Sequence, residues 1–310
     1  MAVEKVDIRK KFFSLNSPEK VADLLEVKYK WLIYYIYRLP EKERYEIFSI
    51  NKKSGEPRIV MAPSTPLKIV QRKLCDILNE VYKPKPSVHG FVQNRNVVTN
   101  ASLHSRKRYV LNLDIENFFP SINFGRVRGM FLKKPYKMPE KVATILAQIC
   151  CHKNQLPQGA PTSPVVSNMI CARLDGELQR LAKANNCTYT RYADDITFST
   201  NMPSFPEDIA KIELGNSVHD VILGKDLLRI IGENGFATNE KKTRLQRRNH
   251  KQEVTGLTVN RYPNITRKYK NQIRAMLHSW EKYGLEKAQE KFIEKHDHKY
   301  RSHFKGNCKR

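Results

Sequence analysis

Apolar residues recur at helical spacing after Thr65-Pro66: Ile69, Val70, Leu74, Ile77, Leu78 and Val81 share one face, and the Thr-Pro pair supplies a start. Similar spacing predicts helices over 21–26, behind Ser17-Pro18, and over 28–38, ending before Pro40. Further helices are expected over 124–132, 139–151, 164–183 and 218–234. Short apolar or alternating runs predict strands instead. These cover 44–51 and 58–61 around the turn Lys53-Ser54-Gly55, 109–115, 188–192 and 196–200 around Ala193-Asp194-Asp195, then 236–246 and 252–259. From Thr266 onward the pattern is basic and helical. Strands and helices in this mixed order predict an α+β core with helical flanks.

Length and composition narrow the class. The 310 residues show no internal repeat and no Gly/Ser linker, so lobes of one body are expected. The longest strongly apolar stretch, 31–37, is far too short to span a bilayer, and six Cys without a CxxC pair suit reduced thiols in a cytoplasmic protein. The net charge is +25, which calls for a polyanion and, before a membrane surface, for nucleic acid. The excess is uneven: residues 240–310 carry 20 Lys and Arg against 7 Asp and Glu.

Against this basic background, three acids stand out. Asp114 closes the apolar strand, and Asp194-Asp195 lie at a hairpin tip where adjacent carboxylates repel. Two strands carrying three carboxylates could hold two hard cations about 4 Å apart, the arrangement that activates a hydroxyl and stabilises a leaving phosphate oxygen. A turn with solvated acids is the plain alternative for Asp-Asp alone.

The surrounding residues carry a resemblance. Tyr192-Ala193-Asp194-Asp195 resembles the YxDD box of reverse transcriptases. Leu113-Asp-Ile-Glu-Asn-Phe-Phe119 is similar to the segment bearing their first catalytic aspartate, and Leu156-Pro-Gln-Gly-Ala-Pro-Thr-Ser-Pro164 to the box between. Asn100-Ala-Ser-Leu-His104 resembles the NAxxH element of bacterial retron reverse transcriptases, and Val254-Thr-Gly256 their VTG element. The resemblance implies a right-hand polymerase fold. Residues 1–108 would form N-terminal helices and fingers with part of the palm, 109–259 the palm with inserted fingers helices, and 260–310 a basic helical thumb, complete or not at residue 310.

It also implies roles. Asp114, Asp194, Asp195 and the Ile115 carbonyl would hold two Mg²⁺ ions, with Mn²⁺ able to substitute. Arg58, Phe119, Gln158 and Lys242 would meet the nucleotide, Phe119 as a steric gate against a ribose 2′-hydroxyl, and Lys241 rivals Lys242. Asn100, His104, Val254, Thr255 and Gly256 would bind RNA; the alternatives are a structural role for Asn100, packing for His104 and a simple strand with a bulge for Val254-Thr255-Gly256. The implied activity copies part of a structured non-coding RNA of the msr-msd type into DNA from dNTPs, starting at an RNA 2′-hydroxyl. The RNA-linked msDNA product would serve anti-phage defence beside an effector protein or domain. A group II intron-like or other bacterial reverse transcriptase, and a hybrid-binding scaffold that restrains a toxic effector, stand as alternatives.

The charge alone generates one prediction. RNA affinity should fall steeply with added salt, as a log–log slope of about −0.7 per phosphate contact on a single strand. A flat titration from low to high salt would contradict this reading.

Overall fold

The computed structural model describes residues 2–51, 57–212 and 221–296. Helices α1 (Ala2–Phe13), α2 (Pro18–Leu24) and α3 (Tyr29–Ile33) open the chain, and α3 runs on as a π-helical turn, Tyr34–Arg38, before α4 (Glu41–Arg44). The hairpin β1 (Tyr45–Asn51) and β2 (Pro57–Pro63) leads into α5 (Thr65–Val81) and α6 (Val97–Ser102). Strand β3 (Tyr109–Asp114) is followed by α7 (Phe124–Leu132), α8 (Glu140–Cys150), α9 (Ser163–Ile170) and α10 (Ala172–Ala184). Next come β4 (Thr188–Tyr192), β5 (Asp195–Thr200), β6 (Ala210–Ile212), β7 (Val221–Leu223) and α11 (Lys225–Glu233). The order ends with β8 (Arg244–Arg247), β9 (Glu253–Val254), β10 (Leu257–Thr258), α12 (Arg267–Tyr283) and α13 (Leu285–His296).

The centre is a four-stranded antiparallel sheet in the order β4-β5-β3-β8. Its register sets Asp114 opposite Asp195. Leu111, Leu113, Tyr189, Ile196, Phe198 and Leu245 from the sheet enter one large core, which also takes the apolar faces of α2, α5, α7, α8, α9, α10 and α11. The β1–β2 hairpin rests on a separate small cluster of Tyr45, Met61, Leu67 and Ala160, and α12 packs on α13 through Met276, Ala288 and Phe292.

Several elements differ from expectation for local reasons. The single helix expected over 164–183 is two, joined at the buried Cys171, so Asn168 on α9 and Asp175 on α10 both reach Arg191. The helix expected from 218 begins at Lys225, because 221–223 pair with β6 and Gly224 caps the break. Strand 236–246 shrinks to β8 behind a 3₁₀ turn, Glu240–Lys242, and 252–259 folds over at Thr255-Gly256, both with positive φ. Helices α1 and α4 were not anticipated. The turn Lys53-Ser54-Gly55, the start of the 218–234 helix and positions 297–310 lie outside the described residues.

Beneath the sheet lies a fully buried ion pair. Arg191 on β4 donates from Nε and Nη2 to the two Asp175 carboxylate oxygens at 2.7 and 2.8 Å, and Tyr189 adds its hydroxyl at 2.7 Å. Burial opposes the guanidinium charge; the Asp175 carboxylate restores it and holds Arg191 well above its ordinary range. The remaining donors reach the Ala193 carbonyl at 2.9 Å and Asn168 Oδ1 at 3.1 Å.

Asp175→Ala should therefore cost about 3–5 kcal/mol, because Arg191 is left charged and unpaired in the interior. A urea midpoint measures the loss. Replacing both partners by Leu and Met should recover most of that stability. A double variant with a urea midpoint as low as that of Asp175→Ala would show that the unpaired charge is not the cause of the loss.

Candidate active site

The turn joining β4 to β5 is two residues long, Ala193 and Asp194, with Ala193 held at φ 57°. An alanine in that left-handed region carries strain of about 1–2 kcal/mol, which surrounding contacts must sustain. Two do. Arg191 grips the Ala193 carbonyl from below, and Gly90 lies so close that an added Cβ would stand 2.3 Å from the Ala193 nitrogen. Gly90 is itself tethered by its carbonyl, which accepts from Asn168 Nδ2 at 2.9 Å.

This clamp presents the acids. The Ile115 amide donates to the Asp194 carbonyl at 3.0 Å, and the Asn239 amide donates to the Asp114 carbonyl at 2.8 Å, so backbone bonds draw three segments together. Lys242 Nζ bridges both Asp114 carboxylate oxygens at 2.9 and 3.0 Å. Burial and the Asp114 charge raise the Asp194 pKa. Asp195 keeps solvent access as a residue, but desolvation of its carboxyl by the surrounding protein, then the Asp194 and Asp114 charges, push it up to about 7. Three neighbouring carboxylates, with the pKa values of Asp194 and Asp195 raised, are hard oxygen donors of the kind that suits a divalent cation, and Lys242 already brings positive charge to Asp114.

Two clefts meet at these carboxylates. The larger, about 810 Å³, is lined by Arg58, Asp114, Ile115, Phe119, Gln158, Asp194, Lys241 and Lys242. All expected nucleotide residues thus gather in one cavity. Its wall is built by the β1–β2 hairpin docking on the 156–164 loop: the Met61 amide donates to the Gln158 carbonyl at 2.8 Å, and Gly159, at φ 120°, sits against Met61. Phe119 packs at 5.3 Å from Phe118 and 6.2 Å from Phe91, so it both joins the core edge and faces the cleft. The smaller cleft, about 310 Å³, lies on the Asp195 side and is lined by Asn112, Arg244, Thr255 and Gly256 as well as Asp114 and Lys242.

The residues expected to bind RNA divide. Thr255 and Gly256 form the exposed turn of the smaller cleft, with Thr255 Oγ1 donating to the Val97 carbonyl at 3.3 Å. Val254, His104 and Asn100 lie buried and line neither cleft. Val254 packs with Ala101, Val110 and Val259. The His104 ring bridges strands, Nδ1 to Ser199 Oγ and Nε2 to Thr190 Oγ1, both at 2.7 Å, and burial pushes its pKa down to about 3, so it stays neutral.

Other contributors went unseen in the sequence: Gly90, Phe91, Asp175, Arg191, Asn239 and Arg244. Asp175 left a trace, as an acid within the apolar spacing of Leu174, Leu178 and Ala182, and Arg191 stands beside the acidic turn.

Three carboxylates thus stand where a larger and a smaller cleft meet, on the central antiparallel sheet. The model of the family described as reverse transcriptase (RNA-dependent DNA polymerase) matches residues 50–259, and the chain belongs to that family. Within it the chain is of the bacterial retron type. It is 37% identical over 283 residues to the retron Mx65 reverse transcriptase of Myxococcus xanthus, covering 85% of this chain and 62% of that protein. It is 34% identical over 239 residues to the retron Ec86 reverse transcriptase of Escherichia coli, covering 76% and 69%. The retron Mx162 reverse transcriptase of Myxococcus xanthus matches at 30% over 295 residues, covering 86% and 59%. The chain thus spans about three fifths to two thirds of these relatives' lengths.

The contact beneath Ala193 yields a test. Gly90→Ala should displace the Asp194 turn and lower DNA synthesis by about 100-fold, the scale expected when catalytic groups shift by an ångström. Far-ultraviolet circular dichroism should report a retained fold. Wild-type activity in a folded Gly90→Ala protein would show that the contact does not position the acids.

Proposed function

We propose that this chain is an RNA-directed DNA polymerase of the retron kind. It copies part of a dedicated structured non-coding RNA into single-stranded DNA, primed from an RNA 2′-hydroxyl, and leaves an RNA-linked msDNA. The observation that carries the reading is the convergence of Asp114, Asp194 and Asp195 where the two clefts meet.

The carboxylates of Asp114, Asp194 and Asp195 and the carbonyl of Ile115 are the residues that would hold divalent cations. Mg²⁺ bound there supplies Lewis acidity, lowering the pKa of a priming hydroxyl and neutralising the leaving phosphate oxygen. Arg58 and Lys241 line the larger cleft with positive charge suited to a triphosphate. Lys242, paired with Asp114, lines the same cleft and would add positive charge for the phosphates. Phe119 sets a flat apolar surface where the sugar lies, so a 2′-hydroxyl there meets carbon rather than a hydrogen-bond partner. Gln158, fixed through its carbonyl to the β1–β2 hairpin, turns toward the cleft. Thr255, Gly256 and Arg244 face the groove on the other side, where the strand bearing the priming hydroxyl would enter.

The partners follow: the msr-msd-type RNA, dNTPs and the msDNA product, with an effector protein or domain acting beside them in anti-phage defence. Among the described residues no helix is long and apolar enough to cross a membrane.

Incubating the purified protein with its adjacent non-coding RNA, Mg²⁺ and dNTPs should give DNA covalently linked to RNA. Asp194→Asn should abolish that product, by at least about 1,000-fold, and leave RNA binding intact. RNA binding without extension by the wild type would instead favour a scaffold that restrains an effector. Phe119→Ala should raise ribonucleotide incorporation relative to deoxyribonucleotide by about tenfold or more, the effect of a steric conflict worth at least ~1.4 kcal/mol. Unchanged discrimination in single-nucleotide extension would remove Phe119 from the gate.

A further inference from the structure

Far along the chain from the carboxylates, the α3 segment exposes aromatic rings that its own fold does not require. Five of the nine residues from Tyr29 to Tyr37 are aromatic, while the core contacts of this stretch come from Leu32 and Ile36. Tyr34 and Tyr37 are 48% and 50% exposed, and Tyr29 and Trp31 stand out beside them. The rings touch each other: Trp31 and Tyr35 lie 4.2 Å apart at 55°, and Tyr34 meets Tyr35 edge-on at 5.6 Å. Tyr34 to Tyr37 lie on the π-helical turn, a rare backbone form frequent at functional sites.

Charge selects the partner. Residues 28–38 hold Lys28, Lys30 and Arg38 and no acid. The exposed apolar surface here is wholly aromatic, whereas the aliphatic Leu32 and Ile36 point inward. Flat rings with polar edges, set among Lys28, Lys30 and Arg38, match unpaired nucleobases on a phosphate backbone, with the rings free to stack and the cations to meet phosphates.

From this we infer that the α3 aromatic platform is a second nucleic-acid site, separate from the catalytic clefts, that stacks an unpaired stretch of RNA. The inference goes beyond the proposed polymerase activity, and its test needs neither Mg²⁺ nor dNTPs, so the two can fail separately.

The chain has two tryptophans, and Trp280→Phe leaves Trp31 as the only indole. Titrating that full-length protein with a short oligouridylate should quench Trp31 fluorescence, and a blunt RNA duplex of equal length should quench it far less. Tyr34→Ser with Tyr37→Ser, at the two most exposed rings, should weaken oligouridylate binding by about tenfold. Far-ultraviolet circular dichroism and the urea midpoint should match the wild type, which controls for folding. As a second probe, Lys28→Glu with Lys30→Glu should weaken the same binding and make it less dependent on salt. Undiminished oligouridylate affinity in both variants overturns the inference, as does equal quenching by the duplex. So does a loss of self-association, protein binding or anionic-vesicle binding in these variants while RNA affinity holds.

Discussion

A charge sealed in the interior organises this molecule. Arg191 is fully buried, and only the bidentate Asp175 carboxylate makes that position tolerable for a guanidinium. Once the pair exists, the leftover donors have fixed directions, one to Ala193 and one to Asn168. Asn168 in turn tethers Gly90, and Gly90 supports the underside of the same turn. A strained alanine, a missing side chain and a buried salt bridge are therefore parts of one device. It holds the backbone of Ala193-Asp194 still while the acids above it repel each other.

Electrostatics works in opposite senses at the two levels. In the interior, complementary charges neutralise one another at 2.7–2.8 Å. At the surface the carboxylates are left short of positive charge, and Lys242 occupies Asp114. The basic surplus of the chain does not fill this deficit directly, since Arg58, Lys241 and Arg244 line the clefts around the acids. The result is a ring of cations enclosing an acidic centre. Positive charge thus lines the rim and carboxylate oxygens the middle.

Local chemistry was legible in the sequence and long-range geometry much less so. Asp114, Asp194 and Asp195 stood out because acids at a strand end and a hairpin tip are locally unusual, and the strands carrying them fall where alternation placed them. The gathering of Arg58, Phe119, Gln158 and Lys242 into one cavity followed from motif order. A motif says that a residue matters without saying which way it faces: His104, Asn100 and Val254 are buried. Asp175 and Gly90 escaped notice because their partners are 16 and 103 positions away, and neither helical nor strand periodicity encodes such a pairing. Gly224 and the Thr255-Gly256 turn cut apparently continuous segments, a break that composition alone leaves ambiguous.

The register of β3 against β5 has its own consequence. Asp114 faces Asp195 because six consecutive residue pairs, from Tyr109↔Thr200 onward, are in step. Side chains alternate between the two faces of a sheet, so one inserted residue would send the carboxylate to the opposite face. Substitutions along β3 change packing by degrees, whereas a single-residue insertion or deletion there acts all or none. The spacing of the reactive acids is thus counted out in peptide units, and chains of this kind can drift far in sequence while remaining intolerant of a change in strand length.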